Sequence, residues 1–212
     1  LTNKVILNGY RELHSVWKTF SKHHILKSYI GAFFVFSMAV QTVMLIAAYF
    51  GEQEINWGSS SEKQIGLIVS ITIIQLIAIV GANITAQCSK KFGNLPVLIT
   101  LNFIWVSLCL YAFFVRSPIQ FYIAAGFVGL SMGGIQSLAR STYSKFIPKT
   151  DDTTSFFSFY STSQMTGIVI GMLLFGTIDQ ITGSMRNSVL FFLSFFLIGA
   201  FLLIRIHRRM TN

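Results

Sequence analysis

Polar side chains inside long apolar runs are the residues of this sequence that could do chemistry, because each costs free energy where it stands. Gln41 and Thr42 interrupt one run, Gln136 a second, and Tyr160 and Gln164 a third. Arg140 closes the second run, in Gln136-Ser137-Leu138-Ala139-Arg140. Amides and hydroxyls of this kind donate and accept hydrogen bonds, so together they could line one aqueous cavity and hold a polar solute. Arg140 adds a fixed positive charge. It suits an anionic group or a moving gate contact, and equally a helix anchor that snorkels to the cytoplasmic surface. For any single amide, a hydrogen bond between helices is the simpler role. No carboxylate lies deep in any apolar run. A proton-carrying group is therefore not expected among these residues.

Other chemistries are excluded by context. Gly129-Leu130-Ser131-Met132-Gly133 matches the G-x-S-x-G pattern of a hydrolase nucleophile, but that pattern needs a strand–turn–helix setting and a base. Here it lies within an apolar run, and His14, His23, His24 and His207 all lie outside such runs. No metal-ligand spacing and no phosphate-cradling loop is present, so no enzyme activity, metal or cofactor is expected. Cys88 and Cys109 define no disulfide framework.

These polar residues must be positioned by membrane-spanning helices. The chain is 53% hydrophobic and only 11% charged, where soluble domains carry about 25% charge. A span needs about 20 apolar residues. Six runs qualify, at 29–50, 65–87, 95–115, 119–139, 156–178 and 187–206. No period-2 alternation competes with them. The sequence predicts an all-α, multi-pass membrane protein with six transmembrane helices, its bundle at 29–212. The lipid bilayer is then its first partner.

With the first segment placed inside, one face holds Lys4, Arg11, Lys18, Lys22, Lys27, Lys90, Lys91, Arg140, Lys145, Lys149, Arg205, Arg208 and Arg209. The other face holds Lys63, Arg116 and Arg186. This bias predicts cytoplasmic N- and C-termini. The formal charge of +9 is accounted for by these flanks, so no nucleic-acid partner is expected. Residues 1–28 read as a cytoplasmic amphipathic linker helix, because Tyr10, Leu13, Trp17 and Phe20 share one helical face. Gly129 with Gly133, and Gly167 with Gly171, have the small-xxx-small spacing of close helix packing.

Several motifs then resemble a known family. The stretch Ala86-Gln87-Cys88-Ser89-Lys90-Lys91-Phe92-Gly93-Asn94 is similar to the signature loop of the major facilitator superfamily, with Lys90, Lys91 and Gly93 as its marked positions. In that pattern an acidic residue stands where this chain has Lys90. The stretch Gly133-Gly134-Ile135-Gln136-Ser137-Leu138-Ala139-Arg140-Ser141 resembles the vacuole-effluxer-like branch of the superfamily. So do Phe146-Ile147-Pro148, Phe156-Phe157-Ser158-Phe159-Tyr160, Val40-Gln41-Thr42-Val43-Met44 and Tyr49-Phe50-Gly51. Eukaryotic members of that branch are autophagy-related amino-acid effluxers. The family tends to have lysine where Gln164 stands, and Gly-Pro where Gly171-Met172 stands.

The resemblance implies the C-terminal six-helix half of a twelve-helix secondary active transporter. It would move a small solute, amino acids among the options, by alternating access. The expected partner is a missing N-terminal six-helix half or a second copy, and the expected location is a bacterial inner membrane. The alternative is a truncated, non-transporting interaction protein, or a half-transporter that must dimerise. The chain opens on Leu1, in keeping with a fragment.

Overall fold

The computed structural model describes residues 23–149 and 152–211. Among them are six helices and no strand: α1 (His24–Glu54), α2 (Ser60–Phe92), α3 (Asn94–Phe114), α4 (Pro118–Phe146), α5 (Thr153–Thr182) and α6 (Met185–Thr211). All six are long and apolar enough to cross a membrane. The shortest, α3, has 21 residues. At 1.5 Å per residue that is roughly 32 Å, enough for a hydrocarbon core of about 30 Å.

Three of the helix starts are capped by polar side chains. Ser59 accepts from the Glu62 amide at the start of α2. Ser117 and Gln120 form a reciprocal capping box at the start of α4, with Pro118 in the first turn. Asp152 accepts from the Ser155 amide at 3.1 Å and starts α5 ahead of the polar stretch 160–164. Each device satisfies amide donors that the helix itself leaves open. The Asp152 carboxyl is held below its ordinary value by these hydrogen bonds from Ser155.

The helix that carries the first apolar run begins at His24, so residues 24–28 belong to α1. The amphipathic face of Tyr10, Leu13, Trp17 and Phe20 lies outside the described residues. The signature segment is not a loop. Lys90 and Lys91 stand in the last turn of α2, where positive charge complements the helix dipole. Only Gly93 separates α2 from α3, at φ 87 and ψ 162. That conformation is essentially restricted to glycine.

Packing is dominated by α2 on α4 and α3 on α6, with α1 against α6 and α5. The α2–α4 seam carries the glycines. A Cβ on Gly129 would lie 2.6 Å from the Ile74 carbonyl oxygen, and one on Gly133 would strike the Ala78 carbonyl. The two backbones are therefore in contact, the role expected of this spacing. On the other side, Gly167 and Gly171 receive Met38 and Thr42 of α1. The core between α1, α3 and α6 is aromatic: Trp105 stacks on Phe196 with centroids 5.3 Å apart, and both are fully buried.

The end of the bundle away from the termini is tied by one residue that the sequence reading used only for charge counting. Arg186, in the first turn of α6, donates to Glu54 Oε2 at 2.6 Å, to the Phe113 carbonyl at 2.7 Å and to the Glu54 carbonyl at 2.9 Å. Its guanidinium also lies 5.5 Å from the Phe50 ring centre. It thereby joins the ends of α1 and α3 to the start of α6.

Candidate functional site

Four of the five predicted cavity residues, and Arg140 with them, line one cavity of about 120 Å³. Gln41 comes from α1, Gln136 and Arg140 from α4, and Tyr160 and Gln164 from α5. Helical spacing explains the convergence. Gln136 and Arg140 are one turn apart on α4, and Tyr160 and Gln164 one turn apart on α5, so each pair shares a face. Phe33, Phe36, Ser37 and Val40 complete the wall on α1. The sequence reading missed these four as lining residues. The 3–4 residue spacing leading back from Gln41 was the signal that would have found them.

Thr42 is not among the lining residues. It is fully buried, donates its hydroxyl hydrogen to the Met38 carbonyl at 2.8 Å, and packs on Gly171. Its neighbour Gln41 takes the cavity face because adjacent helical positions point about 100° apart. Gln75 and Asn83 of α2 are exposed on the bundle surface. Asn102 is buried at the Gly199 contact, its amide donating to the Leu98 carbonyl at 2.9 Å.

The polar groups in the cavity are unspent. Among the described residues, the side-chain amides of Gln41, Gln136 and Gln164 have no hydrogen-bond partner. Arg140 has no carboxylate partner among the described residues. It lies against the face of Phe157 instead, 5.2 Å from the ring centre. This cation–π contact fixes its direction without neutralising its charge.

Aromatic packing holds the wall. Tyr160 stacks on Phe33 with centroids 4.1 Å apart and leans on Tyr143 at 4.9 Å. Two tyrosines then fasten the helices behind it. Tyr29 of α1 donates to the Ala139 carbonyl of α4 at 2.7 Å. Tyr143 of α4 donates to the Phe156 carbonyl of α5 at 2.8 Å. Neither tyrosine was singled out from sequence, because each bond joins positions far apart in the chain or across a turn. Such an arrangement can grip a small molecule by one positive charge, three free amides and an aromatic wall. Among the described residues there is no group of three potential metal ligands.

Six helices long and apolar enough to cross a membrane, three of them lining a small polar cavity, define an integral, multi-pass membrane protein. The chain belongs to the family described as vacuole effluxer Atg22 like, whose sequence model matches residues 2–211. Its similarity to individual proteins is spread over the same length. It is 27% identical over 199 residues to a Bacillus subtilis protein named as the uncharacterized MFS-type transporter YxiO, covering 94% of this chain and 45% of that one. It is 28% identical over 207 residues to autophagy-related protein 22 of Pichia angusta, covering 92% of this chain and 36% of the relative. The Saccharomyces cerevisiae protein of the same name is 23% identical over 193 residues. The chain thus spans less than half the length of these relatives.

Proposed function

We propose that this chain forms the C-terminal six-helix half of a secondary active transporter that moves a small solute by alternating access, with the α1–α4–α5 cavity as its half of the solute site. The observation that carries this reading is the convergence of Arg140 and three unpartnered amides from three helices on one cavity. Polar groups without partners at membrane depth are costly unless a ligand or water satisfies them, and here the three amides are half-buried and Arg140 is exposed. The guanidinium selects a solute with a carboxylate, the amides satisfy further polar groups, and Phe33 and Tyr160 accept an apolar part. Amino acids meet this description. The names of the relatives, an effluxer family and an MFS-type transporter, support the same reading.

Apolar surface is exposed on every helix of the bundle, where lipid or a partner covers it. Ile68, Leu76 and Ile79 on α2, and Met165, Val169 and Leu173 on α5, are all exposed. A matching six-helix half, or a second copy, would cover these helices and close the cavity. The Lys and Arg bias supports placing both termini in the cytoplasm, and a bacterial inner membrane is the proposed location.

The test is amino-acid flux in vesicles containing the protein together with its other half. Arg140→Ala is expected to weaken solute affinity by at least tenfold, since a charge-assisted hydrogen bond contributes about 1.5–3 kcal/mol. Gln136→Ala should lower affinity by a smaller factor. Unchanged flux and affinity in both variants would remove this cavity from the mechanism.

A further inference from the structure

A second concavity lies at the terminal end of the bundle, away from the solute cavity. It has a volume of about 800 Å³ and sits among the start of α1, the end of α4, the end of α6 and the α2–α3 junction. His23, His24, Lys145 and His207 line it from three helix ends, and no described lining residue is acidic. The Lys145 ammonium donates to Asn94 Oδ1 at 3.0 Å and has no carboxylate partner among the described residues. Asn94 also donates to Thr142 at 3.1 Å, which fixes the amide that orients the lysine.

Phe92 forms a wall of this basic pocket and also a wall of a separate groove of about 270 Å³. The groove is lined chiefly by apolar residues of α2, α3 and α4, among them Ile84, Val97, Leu101, Ile104 and Leu130. From Phe92 to Gly81, its limits on α2, there are eleven helical steps, or roughly 16 Å. That matches the depth of one leaflet of a hydrocarbon core about 30 Å thick. Lys91 stands 5.2 Å from the centre of the Phe92 ring.

We propose that the pocket and groove together bind one anionic phospholipid, with its phosphate among Lys145, His207 and the two N-terminal histidines and an acyl chain along the α2–α3–α4 groove. The Lys145 ammonium and the imidazole N–H groups beside it can donate to a phosphate, and the position at the helix ends is headgroup depth. The adjoining apolar groove distinguishes a lipid from a soluble anion, which would have no use for it. This inference is independent of the solute carried.

The experiment reconstitutes the chain together with its other half in nanodiscs of equal phosphatidylglycerol and phosphatidylcholine, and counts retained lipid by native mass spectrometry. Phosphatidylglycerol is expected to be retained in preference. Lys145→Gln should reduce that preference roughly fivefold, the effect of one lost cation near a lipid surface. Lys145→Arg should keep it. His207→Gln tests the pocket from a different helix and should also reduce the preference. Thr100→Trp, which fills the groove, should lower retention of the bound lipid while leaving the basic pocket intact. Glycerol phosphate, which has no acyl chains, should not displace the lipid. Equal retention of both lipids, a preference unchanged by Lys145→Gln and His207→Gln, or displacement by glycerol phosphate would each overturn the proposal.

Discussion

Replacing Arg186 by methionine should loosen three helices at once. The substitution keeps most of the stem and removes the guanidinium, which holds the Glu54 carboxylate at 2.6 Å and the Phe113 and Glu54 carbonyls at 2.7 Å and 2.9 Å. The pair is not fully buried: the Arg186 side chain is 13% exposed and that of Glu54 24%. Breaking a buried ion pair costs about 3–5 kcal/mol, and an exposed pair contributes under about 1 kcal/mol. With this partial exposure, and with the two carbonyls at helix ends where water can replace the lost donors, about 2–4 kcal/mol is expected.

In detergent that corresponds to a fall in Tm of roughly 5–12 °C for a chain of this size. Arg186→Lys keeps the charge but has one nitrogen for three acceptors, so it should fall between. Glu54→Gln leaves the two carbonyl bonds in place and should cost less than Arg186→Met. A loss below about 0.5 kcal/mol for Arg186→Met, the level of an ordinary surface substitution, would refute the reasoning.

The helix seams give further expectations. Gly133→Leu should force α2 and α4 apart, because even a Cβ there meets the Ala78 carbonyl; a loss of folded yield, read by size-exclusion chromatography, is expected, whereas Gly176→Ala, with open space around it, should be tolerated. Gly93→Ala should cost about 1–3 kcal/mol from its backbone conformation alone, measured by thermal unfolding. The Asp152 cap should respond to acid. Its carboxyl is lowered from an ordinary value of 3.8, so its contribution is present above that value and lost as pH falls through the lowered one. Amide exchange at Ser155 should accelerate only below that point, and Asp152→Asn should remove this dependence.

The number, type and order of the helices could be read from the sequence because a bilayer imposes a simple rule. Each crossing needs about 20 apolar residues, and the flanks carry charge. The ends were less legible. Capping by Ser59, Ser117 and Asp152 depends on single polar side chains. Gln41, Gln136, Tyr160, Gln164 and Arg140 could be named in advance because polar groups in apolar runs are conspicuous. Thr42 looked equivalent to Gln41, but one helical step decides which of them faces a neighbour. The apolar wall of the cavity, and the tyrosines behind it, were hidden because Phe and Tyr are common in every span. Arg186 was hidden for a different reason: its partners lie 132 and 73 positions away.

The placement of Thr42 bears on how the cavity is held. α5 brings Tyr160 and Gln164 to the site, yet its apolar window is the least buried of the six. It rests on α1 through Gly167 against Met38 and Gly171 against Thr42. The Thr42 hydroxyl is turned back to its own helix, so the contact offers α5 a smooth, non-bonded surface. By contrast, α4 is fastened to α1 by the Tyr29 hydrogen bond and to α2 by backbone contact. α5 is in turn fastened to α4 near its start by the Tyr143 hydrogen bond and held on α1 by the Tyr160–Phe33 stack, so a change in packing at the Gly171 contact reaches the α5 wall from its far part. A substitution such as Gly171→Val, remote from the cavity, acts on Tyr160 and Gln164 by pushing α5 outward. Its effect on solute affinity follows from displacing two of the five polar groups, without altering any of them.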